Sequence, residues 1–390
     1  MHTQQSVISH PCRLILFAAL AVGVCLPMGL RAADDPWREE AEKAIGRGIS
    51  FLVANQNDDG SFGERPHPGI TALCVYALAQ SPLADDGAIR TALMDGLRNL
   101  RTFVQEDGSL QPKRHGVPVY TTSVSLLAFD AVGLETDRDL IRNARGFLLD
   151  AQQAGEGPQG ERQLGGFGYT TDSRPDMSNT QWAIDALHAT REFAREPLAK
   201  DPQAAEKAQA AFDGALNFLK QCQNTDQDSD NYGGVSYLPQ DHQPQGIGRK
   251  VVAVFRGKPP QNYGAMTYAA MKTMIYADVD RDDERVQSAL RWMRHNFTFD
   301  ENPGQGMQSY FYYIQTCAKS LAALGQPSIT DADGETHDWR AELTKAMVDR
   351  QHDDGRWVND VGRHWESDPH LVTAYTLLAL EYALGTPAAK

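Results

Sequence analysis

The sequence predicts an all-α fold in which six helical hairpins close into an (α/α)6 toroid. One observation is a turn that recurs at both ends of the chain, with a glutamine, a glycine four residues later and an aromatic residue two after the glycine. Related units fill the chain between the Asp-Gly turns at positions 60 and 355, with a mean spacing of about 59 residues, a period typical of repeat architectures. Each unit alternates an amphipathic helical segment with one that is apolar on all sides.

The repeated turn is most complete in the first unit, where Gln56 is followed by Gly60 and Phe62. The sixth unit keeps the same spacing, and the third and fourth units keep the glutamine. The second unit lacks a glutamine in register, and the fifth has Phe297 in its place. The turn residues that we expect to be structural are Gln56, Gly60, Phe62, Gln152, Gln223, Gln351, Gly355 and Trp357.

The two kinds of segment predict two concentric layers of helices. A helix that is apolar all round is buried, whereas an amphipathic helix has one face in solvent. We therefore expect an inner ring whose N-terminal ends form one mouth, surrounded by an outer ring. An open superhelical solenoid is the alternative, but no end unit has a polar outward face, which favours closure. The inner segments are residues 70–79, 120–132, 178–189, 263–276, 310–324 and 371–380.

The first unit also carries a family resemblance. The residues concerned are Arg47, Gly48, Phe51, Leu52, Gln56, Gly60 and Phe62. They resemble the QW repeat of squalene–hopene cyclases and the related prenyltransferase/squalene oxidase repeat, with Phe62 in place of the terminal tryptophan. The resemblance covers nearly all of the chain after residue 32. It implies the toroid of terpenoid cyclases and protein prenyltransferases, in which the glutamine tethers a helix end and the aromatic residue stacks on it.

Residues 1–32 have the pattern of a secretory signal peptide. Arg13 precedes an apolar run at 14–26 that is too short to span a bilayer, and a small-residue site follows near Ala32. We therefore expect an exported protein, periplasmic or secreted, with a single toroid domain over residues 33–390. An N-terminal anchor that is not cleaved is the alternative. No other stretch is apolar enough to predict a transmembrane helix.

Charge and insertions narrow the choice of partners. The net charge is −14, and loss of the signal would make the chain more negative, which excludes nucleic acids and anionic membrane surfaces as partners. A small lipophilic molecule or a glycan remains. Two insertions, 155–164 and 224–261, depart from the short repeat. The second contains a β-like run at 251–255, which predicts a small β-hairpin over one mouth.

Three acidic or metal-like patterns resemble known sites but do not predict one here. Residues 280–283 have the sequence Asp-Arg-Asp-Asp, which matches the protonating Asp-x-Asp-Asp motif of squalene–hopene and other class II terpene cyclases. The motif follows an inner segment and precedes an outer one, so we expect a solvated turn at the opposite mouth, where the helix dipole favours acids. Protein prenyltransferases hold zinc through a late inner helix, but Gln315 stands where a histidine would be expected.

A possible calcium loop is equally incomplete. Asp226, Asp228 and Asp230 have the spacing of its first three ligands, but asparagine and tyrosine occupy the later positions that need glycine and glutamate. This favours a solvated acidic loop. The sequence therefore predicts neither a metal nor another cofactor.

The expected mouth collects aromatic and titratable side chains from the starts of the inner segments. Such a composition is typical of a ligand cavity. We expect the cavity residues to be His67, His115, Tyr120, Trp182, Tyr263, Tyr268, Tyr310, Tyr312, His364 and Trp365. Asp176 and Asp368 are the candidate general acids, because burial raises the pKa of a carboxyl group. His370 could orient a reacting group or accept a proton from it.

These observations leave three functions open. The first is a terpenoid cyclase-like or prenyltransferase-like protein that binds or transforms an isoprenoid. The second is an exported enzyme that acts on polysaccharides, since α/α toroids also host lyases and glycosidases. The third is a toroid that binds a ligand or protein without catalysis. The chain lacks the Cys-Gly-Glu-Gln motif of thioester-domain toroids, which excludes covalent capture by that chemistry.

Overall fold

The computed structural model describes residues 35–114, 116–153, 165–195, 197–239 and 262–385. Within these ranges twelve α-helices alternate between an outer and an inner layer. The outer helices are α1 (Pro36–Ala54), α3 (Gly87–Arg101), α5 (Arg138–Ala151), α7 (Ala204–Cys222), α9 (Glu284–His295) and α11 (Trp339–Val348). The inner helices are α2 (Pro68–Gln80), α4 (Pro118–Val132), α6 (Met177–Ala189), α8 (Gly264–Tyr276), α10 (Tyr310–Leu324) and α12 (Pro369–Leu384).

The inner helices form a closed ring. Each packs against the next in chain order, and α12 packs against α2, so the last repeat contacts the first. Nearly every residue of these helices is buried, because one side faces the ring interior and the other faces the outer helices. The prediction of a closed all-α toroid is therefore confirmed, and the open solenoid is excluded.

Four glutamine side chains tie each turn to the next outer helix. The Gln56 amide donates hydrogen bonds to the carbonyl oxygens of Gly60, at 2.9 Å, and of Ala92 in α3, at 3.0 Å. Gln152, Gln223 and Gln351 make the equivalent pairs of bonds, and we call this feature the glutamine turn. The tie matters because one side chain satisfies backbone carbonyls on two elements.

The glutamine turn of the last repeat closes the ring. Gln351 donates to the carbonyl of Ala44 in α1 at 2.9 Å and accepts from Arg47 at 2.8 Å. Gly355 has φ +92°, and a Cβ built on it would lie 2.7 Å from the carbonyl carbon of Arg47. Only glycine fits such a close approach at positive φ without strain. Trp357 is fully buried and donates its indole N–H to the Met347 carbonyl at 2.8 Å.

A threonine on each of five inner helices holds the end of the turn before it. Its hydroxyl accepts a hydrogen bond, 2.9–3.1 Å long, from the backbone N–H two residues after the turn glycine. The pairs are Phe62 with Thr71, Leu110 with Thr122, Phe167 with Thr180, Val235 with Thr267, and Trp357 with Thr373. The turn therefore fixes the start of the inner helix, where the mouth is.

Some predicted features lie outside the described residues. These are the signal segment, the run at 251–255 and His115. A short antiparallel pair, β1 (Ile329–Thr330) and β2 (Thr336–His337), lies instead between α10 and α11. No described helix has both the length and the hydropathy to cross a membrane.

Candidate functional site

Aromatic side chains from four inner helices and one loop meet at the N-terminal end of the ring. Tyr120 lies 6.4 Å from Trp182, and Tyr312 lies 6.2 Å from Trp182, between ring centroids. Tyr375 lies 6.0 Å from Tyr312, and Tyr169 lies 6.5 Å from Tyr120. We call these five residues the aromatic mouth. Tyr169 is exposed, Tyr120 and Tyr312 are half-buried, and Trp182 and Tyr375 are buried, so the group extends from solvent into the ring.

Asp176 lies beside the aromatic mouth as the N-cap of α6. Its carboxylate accepts from the Asn179 backbone N–H at 2.8 Å and from the Asn179 side-chain amide at 2.7 Å. Burial raises the pKa of Asp176 to about 6, although hydrogen bonds from Asn179 and Tyr237 partly offset this effect. Burial, together with the charge of Asp176, raises the pKa of the nearby Tyr237. Asp176 can therefore gain or lose a proton close to neutral pH.

A loop between the last glutamine turn and α12 covers the start of α10. Glu366 is buried and accepts from the backbone N–H groups of Tyr312, at 2.8 Å, and Phe311, at 3.4 Å. Asn359 donates its side-chain amide to the Glu366 carboxylate at 2.6 Å and to the Met307 carbonyl at 2.8 Å. Burial raises the pKa of Glu366 to about 7.

The outer part of this loop carries the most exposed aromatic side chain at this end of the ring. Trp365 is 55% exposed, and its ring centroid lies 6.2 Å from that of His67. His67 caps α2 by accepting from the Gly69 N–H at 3.1 Å, and burial lowers the pKa of His67. The face of an exposed tryptophan is a surface on which an apolar or sugar ligand can stack.

Below the aromatic mouth, the ring contains a fully buried ion cluster. Lys272 and Lys319 both donate to the same oxygen of Asp185, at 2.6 and 3.2 Å. Lys272 also donates to the Gln181 side chain at 2.6 Å, and Gln181 donates to the Tyr312 hydroxyl at 3.1 Å. Burial and the charge of Lys319 outweigh the attraction of Asp185 and lower the pKa of Lys272 to about 8. The cluster therefore connects the mouth to the ring interior.

No family model matches the chain. It is 29% identical to the squalene–hopene cyclase of Alicyclobacillus acidocaldarius over 167 residues, which are 40% of this chain and 25% of that enzyme. The chain thus spans about a quarter of the length of this curated relative.

Solved toroids match over almost their whole length. The type II terpene cyclase MstE from Scytonema, in complex with its product merosterolic acid A, superposes with a TM-score of 0.54 and 15% identity over 90% of this chain and 99% of that one. The chain is an α/α toroid whose fold is similar to that of a type II terpene cyclase. A D-mannose isomerase gives a TM-score of 0.58 at 13% identity over 91% and 99% of the two chains. At such identities the likeness shows the fold alone.

Asp368 and His370 lie at the N-terminal end of α12, where both contact the first repeat. Asp368 caps α12, on the opposite side of the inner ring from α6, and accepts from the His370 N–H at 2.9 Å and the Glu64 N–H at 3.2 Å. The His370 ring lies 5.3 Å from the Phe51 ring and within 3.1 Å of the Asn55 carbonyl oxygen. The pair therefore joins the first and last repeats and has the contacts of a structural clamp.

Two of the expected cavity tyrosines also lie elsewhere. Tyr310 donates to the Phe299 carbonyl at 2.5 Å, and Tyr268 packs on Tyr313, which donates to the Thr298 carbonyl at 2.7 Å. Tyr310 and Tyr313 point between the two layers together, because residues three apart share a helix face. Tyr312 lies on a different face and reaches the mouth. Tyr263 is half-buried and precedes α8, and burial raises the pKa of Tyr263.

The acidic motifs occupy surface turns. Asp283 caps α9, accepts from the Arg285 N–H at 2.9 Å and pairs with the Arg285 side chain at 2.7 Å. This turn lies at the C-terminal ends of the inner helices, which is the opposite mouth predicted from the sequence. Asp226 and Asp228 lie in an exposed turn, in which the Asp228 N–H donates to the Asp226 carboxylate at 3.1 Å. No three acidic, histidine or cysteine side chains in the described ranges are arranged to hold a metal.

Sequence reasoning missed the ion cluster and the role of Glu366. Lys272, Asp185 and Lys319 interrupt helices that are otherwise apolar all round. A charged side chain in such a helix cannot reach solvent, so it needs a polar or charged partner inside the protein. The charged residues within apolar segments were therefore the sequence feature from which the ion cluster could have been predicted. Glu366 gave no such signal, because it lies in a loop and acts on a distant helix.

Proposed function

We propose that the toroid binds a lipophilic, isoprenoid-type molecule at the aromatic mouth. The proposal rests on the aromatic mouth, in which each ring lies beside the next from the exposed Tyr169 to the buried Tyr375. Such a group offers apolar surface to a ligand without exposing a large patch to solvent. The MstE enzyme, whose fold is similar, has been solved with a geranylgeranyl substrate. That fact supports the ligand class and does not establish it.

Asp176 is the proposed acid for a reaction on the bound ligand. Its protonated carboxyl would transfer a proton to a carbon–carbon double bond, which leaves a carbocation on the ligand and a carboxylate on the protein. The faces of Tyr120, Trp182 and Tyr312 can stabilise this cation through their π electrons. Return of a proton from a neighbouring carbon to Asp176 would release an isomerised or cyclised product and restore the acid.

A binding experiment tests the first part. Geranylgeraniol is titrated into the protein while tryptophan fluorescence is recorded, since Trp182 lies within the aromatic mouth. We expect saturable binding that Tyr312→Ala weakens about tenfold, the equivalent of about 1.4 kcal/mol of lost ring contact. Tyr232→Ala, in the loop after α7, is the matched control and should bind normally. Equal affinity for both variants would remove the aromatic mouth from the proposal.

A turnover experiment tests the second part. The product is sought by mass spectrometry after incubation with geranylgeraniol at pH 5 and pH 8. Because the protonated form is the acid, product should form below pH 6 and decline as the pH rises through the pKa of Asp176. Asp176→Asn should retain binding and lose turnover, whereas Asp368→Asn should retain both. Turnover by Asp176→Asn would eliminate this role.

A sugar ligand is the alternative at the same place. Trp365 is exposed and flanked by His67, and tryptophan faces stack on sugar rings as well as on hydrocarbons. A monosaccharide and oligosaccharide panel in the same fluorescence assay separates the two classes. Saturation by a sugar without a response to geranylgeraniol would favour the carbohydrate function.

A further inference from the structure

A serine and a histidine form a hydrogen-bonded pair at the rim of the aromatic mouth. Ser309 immediately precedes α10, and its Oγ lies 2.6 Å from Nδ1 of His364 in the loop that covers this helix. Both residues are accessible in part, His364 more than Ser309. We propose that Ser309 is a nucleophile activated by His364, and that the pair cleaves esters with an apolar acyl chain. This activity is separate from proton transfer by Asp176.

The backbone at this place is strained. Of the four non-glycine residues with positive φ in the described ranges, three are Ser309, His364 and Trp365, with φ of 54°, 57° and 69°. Such a conformation is unfavourable for a residue with a side chain and persists only where the surroundings enforce it. Strain of this kind collects at active sites, where it presents a side chain that a relaxed turn would direct elsewhere.

Two contacts hold the histidine against the serine. Glu366, two residues after His364, accepts the N–H groups at the start of α10, and Arg363, the residue before, donates to the Gln308 side chain at 3.2 Å. The loop is thus fixed on both sides of His364. Glu366 and Arg363 act as positioning residues for the pair.

The protonation state of His364 suits a base. Burial lowers the pKa of His364, and the neighbouring Arg363 charge lowers it further. The ring is therefore neutral at pH 7, with Nδ1 free to accept the Ser309 proton when Nε2 carries the ring hydrogen.

The reaction follows from these groups. Oγ of Ser309 bonds to the ester carbonyl carbon as its proton passes to Nδ1 of His364. The alcohol then leaves and takes that proton, which leaves the acyl group on Ser309. A water molecule then gives one proton to His364 and bonds to the acyl carbon. The bond between that carbon and Ser309 Oγ breaks, the acid leaves, and the proton on His364 returns to Oγ. An apolar acyl chain is expected because Tyr312 lies one helical turn from Ser309 and Trp365 adjoins His364.

Covalent labelling of the whole protein tests the pair directly. The probe is a long-chain alkyl fluorophosphonate, which loses fluoride to an activated serine, and the labelled peptide is identified by mass spectrometry. We expect the adduct on Ser309. His364→Asn should slow labelling about 100-fold or more, as loss of a general base does, while asparagine tolerates the left-handed backbone.

Matched variants separate chemistry from misfolding. Ser309→Ala should remove the adduct, and Ser367→Ala, which alters an exposed serine in the same loop, should label like the wild type. Thermal melting of each variant shows whether the toroid is folded. Hydrolysis of p-nitrophenyl decanoate should rise with pH as His364 loses its proton. An adduct absent from Ser309, or labelling that is as fast in folded His364→Asn, overturns the proposal, whatever the outcome with geranylgeraniol.

Discussion

Replacing Gly355 by alanine tests whether the last glutamine turn closes the ring. At φ +92° an alanine costs about 1–2 kcal/mol in backbone strain alone. Its Cβ would also overlap the Arg47 carbonyl, so the turn must move away from α1 and lengthen the hydrogen bonds of Gln351 to Ala44 and Gly355. Each bond contributes about 1 kcal/mol. We therefore expect a total loss of about 3–5 kcal/mol in unfolding free energy.

Urea unfolding followed by circular dichroism measures this loss. Gly46→Ala is the matched control in α1, because a Cβ there meets no atom within 4 Å. Alanine in a helix interior should raise stability by about 0.5–1 kcal/mol. A Gly355→Ala protein that unfolds within 1 kcal/mol of the wild type would refute the reasoning, since both the strain and the tie to α1 would then be negligible (about 1 kcal/mol marks the scale of one hydrogen bond).

Three further predictions concern buried charges. Asp185→Ala leaves two ammonium groups unpaired and should lower the unfolding free energy by about 3–5 kcal/mol in urea titrations. Asp368→Asn and His370→Ala should each lower the melting temperature, because both side chains join the first and last repeats and one broken buried hydrogen bond costs about 1–3 kcal/mol. Both variants should keep an affinity for geranylgeraniol within about twofold of the wild type. Glu366 has a folded pKa raised from 4.5 to about 7, so its stability contribution is present below pH 4.5 and is lost as the pH rises through 7. Glu366→Gln should flatten that part of the stability–pH curve.

The architecture was accessible from the sequence because it repeats. A glutamine and a glycine at fixed spacing recur with alternating helical patterns, and the same two hydrogen bonds recur wherever the glutamine is present. The predicted inner segments match the observed inner helices, except that Tyr263 precedes α8. The match follows because a helix that is apolar on all sides must be buried. The five threonines that hold the turns recur with the same period. Threonine is too common in sequences for this recurrence to be recognised as a pattern.

The site was predicted only in part, because helix-end residues can point in several directions. Tyr310 and Tyr312 are two residues apart, yet one faces the outer layer and the other the mouth. Asp176 and Asp368 are both caps before inner helices, but one adjoins tyrosines and the other adjoins the first repeat. Which face of a helix turns inward depends on its neighbours, and a local pattern does not contain that information.

The most direct test of the account is to locate the bound ligand. A geranylgeranyl analogue with a photoreactive benzophenone group is irradiated with the protein, and the crosslinked peptides are mapped by mass spectrometry. We expect crosslinks at residues of α4, α6 and α10 near Tyr120, Trp182 and Tyr312. These crosslinks should disappear when unlabelled geranylgeraniol competes. Crosslinks confined to the outer helices, or unaffected by competitor, would contradict it.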